Sequence, residues 1–164
     1  KFDNKINNLF EINLKGDSLM KGYLNNSLKK ITTYNTKDIG FFSKNKNLFV
    51  MGRLDNIFKS GNEKISTEEI ESTIKQYLKK RTFIIIKKKH KILNWQPALV
   101  IEGQKFISDK NLIKKFERNL SNFKIPKEIY YLKKLSRNTY GKIDRVSIQK
   151  ILSERYEQKQ NIWK

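Results

Sequence analysis

The sequence has no cysteine, which excludes a disulfide framework and any thiolate zinc site. It has no apolar run near the roughly 20 residues that a membrane-spanning helix requires. No signal peptide can be read in it. No internal repeat and no low-complexity linker interrupts it. Hydrophobic residues make up only 37% of the chain, yet aromatic residues supply 12%. Ile, Leu, Phe and Val recur in short runs, so the composition is that of a folded chain and not of a disordered one. At 164 residues there is room for one domain and the edge of another, with a core of useful size.

Acidic residues are also few. Against 16 Asp and Glu stand 36 Lys and Arg, for a formal charge of +20. Such a charge suits a nucleic-acid or anionic-membrane binder. It is equally what a bias towards Lys, Asn and Ile produces, as in an AT-rich genome. Arg is scarce, although bidentate readout of phosphates and bases favours Arg. The lysines run from Lys1 to Lys164 without forming a block, and the abundant Asn adds nothing to a basic footprint. Compositional bias is the better reading, with non-specific, salt-sensitive nucleic-acid binding expected from the charge alone. A basic nucleic-acid-binding module is kept as the alternative of another class.

Hydrophobic periodicity places the elements. Leu9–Leu14 reads as a strand, with a turn at Lys15-Gly16-Asp17, then Gly22-Tyr23 and a polar loop through Asn35. Leu48–Met51 is a short strand ending at Gly52-Arg53. Ile57-Phe58-Lys59 and Lys64-Ile65 flank a turn at Ser60-Gly61-Asn62-Glu63, a hairpin whose Gly and Asn tolerate positive φ. Ser66-Thr67-Glu68-Glu69 is a capping box, with Glu69 expected to reach back, and it opens a helix whose apolar face is Ile70, Ile74 and Leu78. Thr82–Ile86 and Ala98–Ile101 read as buried strands. A helix capped by Ser108 or Asp109 carries Leu112, Ile113, Phe116 and Leu120. Ile129–Leu132 is a third strand, and a polar loop over Ser136–Lys142 leads to a last helix from about Arg145, with Ile148, Ile151, Leu152 and Tyr156. The lone His90, in the basic run Lys87–Lys91, reads as a solvated residue in a loop. The order hairpin, helix, strand, strand, helix, strand, helix predicts a small α+β domain with helices packed on a sheet. The chain starts at Lys1 without methionine and soon enters a strand-like run, so it is expected to be a piece that begins inside a larger protein.

Four stretches carry the chemistry. The first is Phe10-Glu11-Ile12 with Gly16 and Leu19-Met20-Lys21-Gly22-Tyr23; the second is Tyr34-Asn35-Thr36-Lys37-Asp38-Ile39-Gly40. The third runs Gly52-Arg53-Leu54-Asp55-Asn56-Ile57-Phe58-Lys59-Ser60-Gly61-Asn62-Glu63-Lys64-Ile65 and on to Glu68-Glu69-Ile70-Glu71. The fourth is Phe123-Lys124-Ile125-Pro126 followed by Asn138-Thr139-Tyr140-Gly141-Lys142-Ile143-Asp144-Arg145. In this order and spacing they resemble the later core motifs of the adenylate-forming superfamily of acyl-CoA ligases, luciferases and peptide-synthetase adenylation domains. The third stretch is most similar to the o-succinylbenzoate–CoA ligase group of the menaquinone and phylloquinone pathway, with fatty-acid ligases as the nearest alternative.

The resemblance implies a C-terminal portion in two parts. Residues 1–54 would be the β-rich end of a large AMP-binding domain, and 55–164 a small mobile C-terminal domain with a hairpin and a three-stranded sheet packed by helices. Asp38 would accept from the ribose hydroxyls of ATP, since a carboxylate offers two acceptor oxygens to a vicinal diol. Lys37 stands where the family usually has Gly, so a different local backbone is expected there. Arg53 would sit near ribose and phosphate, and Asp55 would be the hinge. Lys59, Ser60 and Gly61 would approach the pantetheine arm of CoA. Lys142 would be the catalytic lysine, a compact charge able to neutralise the α-phosphate and the attacking carboxylate. ATP and CoA would be co-substrates alongside a carboxylic acid. Mg2+ would be held by the missing N-terminal part, with no metal ligand here. The partner is the rest of the same chain, with no specific nucleic acid, and the expected location is the cytoplasm of a bacterium or a plastid stroma. The piece alone is expected to adenylate nothing.

Overall fold

The computed structural model describes residues 9–22, 31–78 and 80–161, with side chains of the last helix as far as Glu154. Tyr23 and the side chain of Tyr156 lie outside the described residues. The chain divides into two compact units, Lys1–Ile57 and Phe58–Lys164.

The first unit is a three-stranded antiparallel sheet of β1 (Phe10–Leu14), β2 (Tyr34–Phe42) and β3 (Leu48–Arg53), with β2 in the middle. The polar run expected to stay a loop through Asn35 is already strand from Tyr34. Its polar side chains satisfy the backbone locally and so permit the strand: Thr36 Oγ1 donates to the Ile12 carbonyl at 2.9 Å and accepts from Asp38 N at 3.0 Å. The register slips between Glu11 and Asn13, so residues 36–38 bulge against β1. Inside that bulge Lys37 has φ 59°, the left-handed conformation that costs an L-residue about 1–2 kcal/mol. The Asn35 carboxamide holds it there, accepting from Lys37 N at 2.7 Å. Lysine thus takes here a conformation that glycine adopts without that cost. Gly40 is fixed by crowding: a Cβ there would lie 2.4 Å from the Phe49 carbonyl oxygen. Gly40→Ala is expected to destabilise this sheet by about 1–3 kcal/mol, read from the shift in denaturant midpoint.

The second unit begins within the first strand of a tight hairpin, β4 (Ile57–Ser60) and β5 (Glu63–Ser66), around Gly61-Asn62. Helix α1 (Thr67–Ile74) follows directly. Ser66 caps it, accepting from Glu69 N at 3.4 Å, but Glu69 does not reach back. Its carboxylate is taken by Lys124 at 2.6 Å, a stronger partner than a backbone N–H. Ile70, Ile74 and Leu78 are fully buried, as their spacing predicts, and each contributes about 1.5–3 kcal/mol of burial.

The main sheet has β6 (Phe83–His90) antiparallel to β7 (Asn94–Glu102) and β7 parallel to β8 (Glu128–Leu132), with α2 (Asp109–Phe116) as the crossover. One face packs on α1 and α2 through Ile85, Leu99, Ile101, Leu112 and Phe116; the other packs on α3 (Arg145–Asn161) through Ile84, Ile86, Val100 and Ile148. This is the α+β arrangement that the element order predicts.

The basic run Lys87–Lys91 corrects the loop reading. Residues 87–90 continue β6, because alternation sends their charges to different partners. The ammoniums of Lys87 and Lys89 lie 5.3 and 5.4 Å from the Trp95 ring centre, while Lys88 pairs with Glu128. His90 is half-buried, and its Nδ1 accepts from Ile92 N (3.2 Å) and Leu93 N (3.1 Å), so it closes the β6–β7 turn. No helix among the described residues is long and apolar enough to cross a membrane.

Candidate functional site

On the first unit, the antiparallel register sets Asp38 of β2 opposite Arg53 of β3. Arg53 Nη1 lies 3.4 Å from Asp38 Oδ1, and its Nη2 lies 3.8 Å from Asp55 Oδ2. Lys37 Nζ stands 4.0 Å from the same Asp55 oxygen. The three residues expected to contact nucleotide or act as hinge, Asp38, Arg53 and Asp55, thus meet at the C-terminal end of β3, beside the bulge in the middle of β2. These contacts are long and half-exposed, the class of pair worth about 0–1 kcal/mol. The cluster can exchange its internal pairs for a polar ligand at little cost. Asp55 sits in a single 3-10 turn, Leu54–Asn56, flanked by extended residues Arg53 and Ile57. A short turn between two strands, closed by the Ile57 N–H on the Leu54 carbonyl, is the kind of segment that absorbs a φ/ψ change.

On the second unit, Lys59-Ser60-Gly61 ends β4 and enters its turn. Lys59 is exposed, whereas Ser60 is fully buried on the same side of the strand as Phe58. The Ser60 hydroxyl has no hydrogen-bond partner among the described residues. Gly61 has φ 58°, and its N–H donates to the Leu93 carbonyl at 3.0 Å, tying the hairpin to the β6–β7 turn. A Cβ on Gly61 would meet Leu93 Cδ2 at 3.4 Å and Phe123 Cε1 at 3.7 Å. Ser60→Ala removes an unpaired buried hydroxyl and is expected to stabilise the protein by about 1 kcal/mol, seen as a higher denaturant midpoint.

Lys142 lies in a loop that the sequence organises around Asn138. The Asn138 carboxamide oxygen accepts from Tyr140 N and Lys142 N, both at 3.0 Å, and Asn138 N donates to the Lys142 carbonyl at 2.8 Å. Gly141 takes φ 75°, and the Arg137 guanidinium donates to its carbonyl at 2.8 Å. Lys142 is exposed, and no ion-pair partner of it occurs among the described residues. A rigid loop therefore presents an available ammonium. Asp144 then caps α3: its carboxylate accepts from Ser147 Oγ at 2.6 Å and Ser147 N at 3.1 Å, and these bonds hold the Asp144 pKa below its ordinary value.

Sequence reasoning missed two ion pairs on α1, Glu69–Lys124 and the two-pronged Glu71–Arg145. Partners 55 and 74 residues apart leave no local signal, although all four residues lie in the quoted motifs. No group of three or more His, Asp or Glu suited to a metal ion occurs among the described residues.

No family model matches the chain. A 2-succinylbenzoate–CoA ligase of Listeria monocytogenes is 34% identical over 142 residues, covering 82% of this chain and 30% of the relative. A peroxisomal butyrate–CoA ligase of Arabidopsis thaliana is 30% identical over 143 residues, covering 81% and 25%. Among solved structures, o-succinylbenzoate CoA synthetase of Bacillus subtilis, in complex with the acyl-adenylate intermediate OSB-AMP, superposes with a TM-score of 0.76. It is 25% identical and covers 86% of this chain and 30% of that one. The chain thus spans about 30% of the length of the 2-succinylbenzoate ligase it matches. Its fold is that of the C-terminal portion of these enzymes.

Proposed function

Homologous to the C-terminal portion of AMP-forming acyl-CoA ligases, the chain belongs with that superfamily, and we propose that it completes the active site of an acid–CoA ligase acting on o-succinylbenzoate in menaquinone or phylloquinone biosynthesis. The observation that carries the reading is the 34% identity to a 2-succinylbenzoate–CoA ligase along 82% of the chain. The meeting of Asp38, Arg53 and Asp55 and the presentation of Lys142 agree with it. A cytoplasmic or plastid-stromal location goes with that pathway.

In the first step a carboxylate oxygen attacks the α-phosphorus of ATP, the bond to the β-phosphate bridge breaks, and acyl-AMP and pyrophosphate form. Lys142 supplies positive charge where the carboxylate and α-phosphate oxygens crowd together. Asp38 accepts from the ribose diol, and Arg53, already beside it, steadies ribose and phosphate. Asp55 is the hinge about which the second unit, the mobile domain, turns between steps. In the second step the CoA sulfur attacks the acyl carbon, the bond to AMP breaks with AMP leaving as the phosphate anion, and the thiol proton passes to solvent. The Lys59–Gly61 turn then lies along the pantetheine arm, and Gly61 leaves room for it. The described residues offer no carboxylate cluster for Mg2+.

The test is turnover by the full-length protein. With o-succinylbenzoate, ATP and CoA it is expected to release AMP and form the CoA thioester. Turnover of fatty acids with none of o-succinylbenzoate would overturn the substrate, and no AMP release with any acid would overturn the activity.

A further inference from the structure

We propose that Glu71 and Arg145 are a positioning pair for Lys142, fixing the lysine's loop to α1, the helix that also carries the Lys59–Gly61 hairpin. The inference rests on the role proposed above for Lys142.

Arg145 Nη1 and Nη2 donate to Glu71 Oε1 and Oε2, both at 2.8 Å. Nη1 also donates to the Ile85 carbonyl at 2.7 Å, and Ile85 N donates to Glu71 Oε1 at 2.7 Å. These four bonds close a ring joining α1, β6 and the first residue of α3. The two side chains are 27% and 19% exposed, so water competes weakly for them. A forked guanidinium–carboxylate pair fixes both distance and plane, which a single contact does not.

The ring sits at the base of the Lys142 loop. Arg145 is three residues past Lys142, and between them Asp144 N donates to the Ser136 carbonyl at 2.8 Å, closing the loop's neck. Within the loop, Asn138 sets the shape, as described above. That shape alone does not say where the loop stands relative to the rest of the unit: Leu135 N on Glu102 Oε2 (3.0 Å) and Ile143 packed on the core hold its base, and the Arg145 fork fixes its exit against α1. At its other end α1 follows β5, the partner strand of β4. Two residues before Glu71, Glu69 holds Lys124, whose neighbour Phe123 lies 3.7 Å from the Cβ position of Gly61. The loop for adenylation and the turn for thioester formation are thus both referenced to one short helix. Loosening the fork frees the exit of the Lys142 loop and leaves the Gly61 turn with its own anchors, Leu93 and the Glu69–Lys124 pair.

The test uses Arg145→Lys and Glu71→Gln in the full-length ligase. Lysine keeps the charge without the fork, and glutamine keeps an acceptor for Ile85 N without the charge. Displacement of a reacting group by about 1 Å costs up to roughly a hundredfold. Adenylation kcat is therefore expected to fall about ten- to a hundredfold in each variant, with the KM for ATP and thioester formation from supplied acyl-AMP changed by less than about threefold. Parallel loss of both half-reactions together with Tm would show a merely structural pair and overturn the proposal, as would adenylation at the parental rate. Lys142→Ala run alongside separates the failures. If that variant still adenylates, the role of Lys142 is wrong and the positioning pair falls with it. If it does not, but both pair variants do, only the pair is refuted.

Discussion

Lys142→Ala in the full-length ligase is expected to lower acyl-adenylate formation by about a hundred- to a thousandfold, the usual loss on removing one preorganised charge-stabilising group. Thioester formation from supplied acyl-AMP is expected to change by less than about threefold, because in this scheme Lys142 acts only while the α-phosphate is attacked. The loop makes the variant informative. Its shape depends on bonds that join the Asn138 carboxamide and the Arg137 guanidinium to backbone atoms, which alanine at 142 keeps, so the substitution removes the ammonium and leaves the loop. Paired single-turnover measurements of the two steps decide it. Equal loss in both steps would show that Lys142 serves the fold or both states.

Gly61→Val is expected to do the reverse. The residue sits at φ 58°, where a β-branched side chain pays about 1–2 kcal/mol of backbone strain, and its Cβ would lie in ordinary contact with Leu93 and Phe123, leaving the two methyls to be fitted beside them. The added bulk also narrows the path proposed for the pantetheine arm. Thioester formation is expected to slow about ten- to a hundredfold while adenylation holds within about threefold, since the strained turn is anchored apart from the Lys142 loop. Rapid-quench measurement with purified acyl-AMP and CoA checks it; a variant that forms thioester at the parental rate would remove Gly61 from the CoA path.

Elements set by local apolar periodicity were legible. Ile70, Ile74 and Leu78 mark one face of a helix and its exit, and Leu48–Met51 a strand, with no tertiary information. The misread elements were those where polar residues do unusual work. Tyr34–Asn35 reads as loop because its residues are polar, yet Thr36 and Asn35 satisfy the bulged strand from their side chains. Lys87–His90 reads as loop because it is charged, yet Trp95 and Glu128 wait across the sheet for those charges. Glu69 reads as half of a capping box because that is its nearest use in sequence, and it is captured by a lysine 55 residues away. The site follows the same rule. Asp38, Arg53, Asp55, Lys59, Ser60, Gly61 and Lys142 could each be named from motif resemblance. That the first three meet at one point, that Ser60 is buried without a partner, and that Arg145 is tied to Glu71 follow from strand register and packing, which no local pattern encodes.

The most direct test is isotope exchange between pyrophosphate and ATP catalysed by the full-length protein, with and without o-succinylbenzoate. Exchange requires only the first step and its reversal. Exchange that depends on the acid, survives in Gly61→Val and disappears in Lys142→Ala is the predicted result. Exchange absent from the parental protein with this acid, or undiminished in Lys142→Ala, would contradict it.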